Sequence, residues 1–187
     1  MKIGIYGGSF NPIHFGHIGL AKWVIENTDL DEVWLMVSPN NPLKDKSILA
    51  DEQQRLAAAK EAIEAITENR KRTTENGKQI VVSDFEFHLP RPTYTANTLR
   101  ALAREYPQYE FTLIVGEDNL QIFDQWREYK YILENYRVFV YPRRLGDEAM
   151  RRDSEIAPVA KTKGIIFLNE APYFDISSTE LRKNLHI

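Results

Sequence analysis

Short apolar runs that end at glycine or proline alternate with stretches of helical periodicity along this chain. That alternation narrows the fold more than any other feature. Residues 2–6 carry Ile3 and Ile5 and stop at Gly7-Gly8, which reads as a buried strand ending in a turn. Leu20, Ala21, Val24 and Ile25 then recur at helical spacing over residues 15–27. A second strand, residues 32–37, is halted by Ser38-Pro39, and a polar loop follows through Lys46. Asp51, with Gln54 three residues on, starts a helix that carries Leu56, Ala59, Ile63 and Ile66 on one face. Residues 69–78 read as an exposed connection. Strands are expected at 79–83, 111–115, 137–141 and 164–168, with a helix over 95–106 that Pro107 ends. Ser177 with Glu180 forms a capping box for a terminal helix. Such an order implies βαβ units. The expected fold is therefore α/β and Rossmann-like: a doubly wound, mainly parallel sheet with helices on both faces. Sheets of this kind bind ligands beyond the carboxyl ends of their strands, where the loops after the first, second and fourth strands converge.

The 187 residues suit one domain spanning the chain. A net charge of -3 argues against a nucleic-acid partner, which favours a basic face. With no cysteine, disulfides and thiolate metal sites are excluded, which fits a reducing compartment. No uninterrupted apolar run reaches the roughly 18 residues of a membrane span, and the N-terminus lacks the apolar core of a signal peptide. A cytoplasmic enzyme, free of membrane and nucleic acid, is the expectation, and a homo-oligomer is compatible with it.

The segment Gly7-Gly8-Ser9-Phe10-Asn11-Pro12-Ile13-His14-Phe15-Gly16-His17 carries the most chemistry. Its glycines let backbone amides approach an anion, and the helix that follows aims its positive end the same way. His14 and His17, three residues apart, can share one side of the first turn. With a reference pKa of about 6.5, imidazoles can donate to phosphate oxygens. Zinc binding is disfavoured, since no third ligand is evident and no thiol exists. Neither a P-loop nor a dinucleotide fingerprint is present. Near the other end, Ile176-Ser177-Ser178-Thr179-Glu180-Leu181-Arg182 offers a capped helix start with hydroxyls, and an arginine within reach of the same anion.

Together these segments resemble the two signatures of the nucleotidyltransferase superfamily, and the longer Gly-Gly-Ser-Phe-x-Pro-Ile-His form is similar to bacterial nicotinate-nucleotide adenylyltransferases. The resemblance implies that Gly7, Gly8, Ser9, Phe10, His14, His17, Ile176, Ser177, Ser178, Thr179 and Arg182 contact ATP. Gly116-Glu117-Asp118 with Trp126 downstream resembles a further family segment. It adds Gly116 and Asp118 to the ATP set and Trp126 as an aromatic face for the pyridine ring. Thr93-Tyr94-Thr95-Ala96-Asn97-Thr98-Leu99 resembles the family's Tyr-Thr-x-Asp-Thr-Leu, which implies Tyr94 and Thr95 in nicotinate mononucleotide binding, together with Ser9, Lys44 and Trp126. Asn11, Leu43 and Asn97 stand where the family usually has Asp, His and Asp. Arg55 is read as structural support, and Arg143 as a neighbour of the nucleotide.

The implied reaction is adenylyl transfer from ATP to nicotinate mononucleotide, with release of pyrophosphate. His14, His17, Lys44 and Arg182 serve as the catalytic set, and magnesium rides on the triphosphate because the sequence offers no carboxylate cage. Rivals are a nicotinamide-mononucleotide or phosphopantetheine enzyme of the same superfamily; the Thr95 and Trp126 segments disfavour the latter. A non-catalytic nucleotide sensor is the rival from another class, disfavoured by both histidines, Lys44 and Arg182.

Overall fold

The computed structural model describes residues 1–39, 51–68, 77–143 and 164–174. Their strands are β1 (Lys2–Gly8), β2 (Glu32–Val37), β3 (Gln79–Ser83), β4 (Glu110–Gly116), β5 (Arg137–Tyr141) and β6 (Ile165–Phe167). They form one sheet in the order β3-β2-β1-β4-β5-β6, and every neighbouring pair is parallel. The order reverses between β1 and β4, so the connections leaving these strands diverge and open a crevice at their carboxyl ends.

Both sheet faces are covered, because side chains along a strand alternate between them. Ile3, Ile5, Met36, Leu113, Val115, Val138 and Val140 pack on one face with Leu99, Leu102 and Ile132. The last three come from α3 (Thr95–Glu105) and α5 (Tyr129–Asn135). Tyr6, Val33, Leu35, Val37, Ile114 and Phe139 pack on the other face with Leu20, Val24, Leu56 and Ile63. Those four belong to α1 (Phe15–Asn27) and α2 (Glu52–Glu68). A short α4 (Glu117–Leu120) follows β4 at once. The sheet is thus doubly wound, as expected. Among the described residues no helix is long and apolar enough to cross a membrane.

Asp51 caps α2 as its sequence context suggests: its Oδ1 accepts the amides of Gln53 and Gln54 at 2.8 and 3.4 Å. Lys78 departs from the exposed connection expected over residues 69–78. It is half-buried and donates to the Ile25 and Thr28 carbonyls at 3.0 and 2.7 Å. Carbonyls at the end of α1 need donors, and a lysine suits the negative end of a helix. Helix α5 was not foreseen, since seven residues that bury Ile132 alone leave no period to read.

Candidate active site

At the end of β1 the chain turns through residues that cannot be exchanged freely. Phe10 holds a positive φ of 43° and is buried. Its ring lies over Gly8, where a Cβ would stand 3.0 Å from Phe10 Cζ, so any side chain at Gly8 would push the buried ring aside by a few tenths of an ångström. Arg55 of α2 fixes this turn. Buried at 3% exposure, it donates to the Ser9 carbonyl at 2.6 Å, the Ser38 carbonyl at 2.8 Å and the Pro39 carbonyl at 2.9 Å. One planar guanidinium thus ties the β1 loop to the end of β2.

The two histidines stand together at the start of α1, with ring centroids 3.7 Å apart and planes tilted by 31°. The His14 amide donates to His17 Nδ1 at 3.3 Å, so the neutral His17 ring carries its proton on Nε2. His17 also meets Phe10 edge-on at 5.0 Å. Both ring nitrogens of His14 are buried without a hydrogen-bond partner. Burial, with the Arg143 charge adding to it, lowers the His14 pKa from 6.5 to about 4, so the ring is neutral near pH 7. Gly16 allows the arrangement, because a Cβ there would lie 3.0 Å from His14 Nδ1.

Two cavities open at this end of the sheet. The smaller, of 40 Å³, is bounded by His14, His17, Arg143 and Phe174. Arg143 Nη1 donates to Asp118 Oδ2 at 3.1 Å. The larger cavity, of 390 Å³, is walled by Gly7, Gly8, Gly116, Tyr94, Thr95 and Trp126, among others. Trp126 stacks on Phe123 at 4.9 Å. Tyr6 and Tyr141 border both cavities, and their hydroxyls approach to 3.4 Å. In the floor of the larger cavity Glu86 is buried and accepts from Ser38 Oγ at 2.6 Å and Thr98 Oγ1 at 2.8 Å. Burial raises its pKa, and those hydroxyls oppose the rise. The imidazoles and Arg143 of the smaller cavity suit a polyphosphate, while the larger cavity, with glycine backbone on one side and apolar and hydroxyl groups on the others, suits an aromatic ring on a sugar.

Residues 5–184 match the cytidylyltransferase-like family. A protein of Flavobacterium psychrophilum named probable nicotinate-nucleotide adenylyltransferase is 44% identical over 99% of this chain and 86% of its own length. A Bacteroides fragilis protein of the same name is 42% identical over 98% of this chain and 82% of its own. The chain belongs to the nicotinate-nucleotide adenylyltransferase family. The fold is also similar to a solved Plasmodium falciparum structure, nicotinic acid mononucleotide adenylyltransferase complexed with NaAD. The TM-score is 0.72 at 23% identity, covering 97% of this chain and 82% of that one.

The structure does not place all the sequence-derived residues alike. Gly7, Gly8, Gly116, Tyr94, Thr95 and Trp126 meet around the larger cavity, and His14 and His17 around the smaller. Ser9 and Phe10 line neither cavity: Ser9 is 5% and Phe10 2% exposed, and Arg55 takes the Ser9 carbonyl. Phe10 packs against Gly8 and His17, and the Ser9 carbonyl belongs to the Arg55 contacts. Asp118 reaches the site through Arg143. Lys44, Leu43 and the segment Ile176, Ser177, Ser178, Thr179 and Arg182 lie outside the described residues. Sequence reasoning missed Tyr6, Tyr141 and Glu86. A tyrosine at the buried end of a strand is a signal, since its hydroxyl needs a partner. Glu86 gave none, because nothing in Phe85-Glu86-Phe87-His88 marks the acid as buried.

Proposed function

We propose that the chain transfers the adenylyl group of ATP to nicotinate mononucleotide, forming nicotinate adenine dinucleotide and pyrophosphate in NAD biosynthesis. The observation that carries this reading is the shared wall of Tyr6 and Tyr141 between the histidine cavity and the Tyr94–Thr95–Trp126 cavity, in a chain of this family. Two reactants held on either side of one wall's edge meet where a bond between them would form.

In this reading an oxygen of the mononucleotide 5′-phosphate attacks the α-phosphorus of ATP. The bond to the α,β-bridging oxygen breaks, and its electron pair leaves with pyrophosphate. The nucleophile is already anionic, so no strong base is needed. Rate enhancement then rests on positioning and on stabilising the charge that develops. His14 and His17 donate to phosphate oxygens, the Gly7–Gly8 backbone approaches them, and Arg143 supports the nucleotide side. Lys44, Ser177–Thr179 and Arg182 complete the phosphate contacts, and Trp126 with Thr95 receives the pyridine. Phe174 packs against α1, where a Cβ at Gly16 would lie 3.1 Å from its Cβ. Phe174 also lines the histidine cavity, and in this reading the motif that follows it in the sequence serves the same phosphates.

The donors around the histidines are imidazoles and a guanidinium, a set suited to an anion. Magnesium is accordingly written as part of the substrate, the metal complex of ATP, offsetting charge on the leaving group. The reading also takes residues 1–187 as one domain, working in the cytoplasm without nucleic acid or membrane.

Pyrophosphate release is the test, with ATP and either nicotinate or nicotinamide mononucleotide. Release with the acid supports the reading, and no release with either rejects it.

A further inference from the structure

Among the described residues that line the larger cavity, Glu86 is the acidic one and Arg127 the basic one. The carboxylate is fully engaged, with one oxygen accepting from Ser38 and the other from Thr98. Arg127 has no carboxylate partner within ion-pairing distance among the described residues. Its guanidinium lies over the Tyr94 ring, 4.9 Å from the centroid, which holds the charge on the cavity wall beside Trp126. The backbone here is constrained as well. Glu128, the next residue, is left-handed at φ 56° and ψ 34°. Its Oε2 takes Arg100 Nη2 at 2.8 Å, and Arg100 itself covers the Tyr131 ring at 4.2 Å. A non-glycine residue in this region is held there by its surroundings, so the chain that follows Arg127 is fixed by these contacts.

We propose that Arg127 is a specificity-determining residue that pairs with the carboxylate on the pyridine ring and so favours nicotinate over nicotinamide mononucleotide. The assignment rests on the adenylyl-transfer reading above. A guanidinium attracts a carboxylate and gains little from a neutral amide, so charge rather than shape separates the two substrates. Because Arg127 is exposed, the pair is screened by salt.

The test measures kcat/KM for both mononucleotides in the parent chain, Arg127→Ala and Arg127→Lys, at low and high ionic strength. Arg127→Ala should reduce the acid-over-amide preference about tenfold, mainly through the KM of the acid, as expected for one charge-assisted contact. Arg127→Lys should restore part of the preference, and added salt should erode it in the parent. An unchanged ratio in Arg127→Ala, or equal use of acid and amide by the parent, overturns the assignment while leaving adenylyl transfer standing. No pyrophosphate with either substrate overturns the activity on which it rests.

Discussion

The His14 amide donates to Nδ1 of His17, and the two rings overlap with centroids 3.7 Å apart. A single contact therefore caps the first turn of α1 and sets the tautomer of its second histidine. The two roles separate in a substitution. His17→Ala removes a capping acceptor worth about 1 kcal/mol. It also removes a phosphate donor whose loss should lower turnover by about tenfold or more. Thermal melting and steady-state kinetics on the same sample distinguish them. Near-normal kcat would take His17 out of the mechanism.

His14 gives a prediction with a definite sign. Its pKa is lowered to about 4 in the folded chain by burial and by Arg143, against 6.5 for an exposed ring. Between those values the unfolded state binds more protons, so this group erodes stability as pH falls from 6.5 towards 4. A bound triphosphate brings negative charge beside the ring and raises its pKa. ATP binding near pH 6 should therefore take up protons, and the affinity should weaken as pH rises through the pKa of the complex. Calorimetry in buffers of differing ionisation enthalpy reads the uptake directly. His14→Gln should abolish it, and an equal uptake in that variant would count against His14.

The strand–glycine–helix alternation was enough to read a doubly wound sheet, because burial on both faces leaves strands as apolar runs with sharp ends. The Gly7–His17 loop was legible for a different reason: its glycines and histidines are costly choices unless the backbone has to pass close to something. Less was visible between Gly116 and Arg137, where α4 and α5 are too short to show a period. Glu86 was hidden too, since an acid is buried only through partners distant in sequence, here Ser38 at 2.6 Å. Arg127 shares this origin, as its guanidinium is held over the ring of Tyr94, distant in sequence.

Arg55 should matter more than its distance from the chemistry suggests. It is the common donor to carbonyls on the β1 loop and the end of β2. Arg55→Lys keeps the charge but cannot form the fork, leaving buried carbonyls unpaired at a cost on the order of 3 kcal/mol. Urea unfolding should register the loss, and the KM for ATP should rise as the glycine loop relaxes. If the midpoint does not move, the guanidinium is not what holds the turn.

Trp126 offers the sharpest separation of the two substrates. Its ring stacks on Phe123 and lines the cavity that contains Tyr94 and Thr95, whereas the histidine cavity does not include it. Trp126→Ala should raise the mononucleotide KM well above that of the parent, since an aromatic stacking pair is worth roughly 0.5–1.5 kcal/mol beyond its buried area. The KM for ATP should change much less, because His14, His17 and Arg143, assigned to its phosphates, line the other cavity, which lacks Trp126. Trp126→Phe keeps a stacking face and should recover most of the loss. Equal increases for both substrates would mean that the indole merely supports Phe123 and the packing behind it, and a pyridine would then have to find its aromatic surface elsewhere in the cavity.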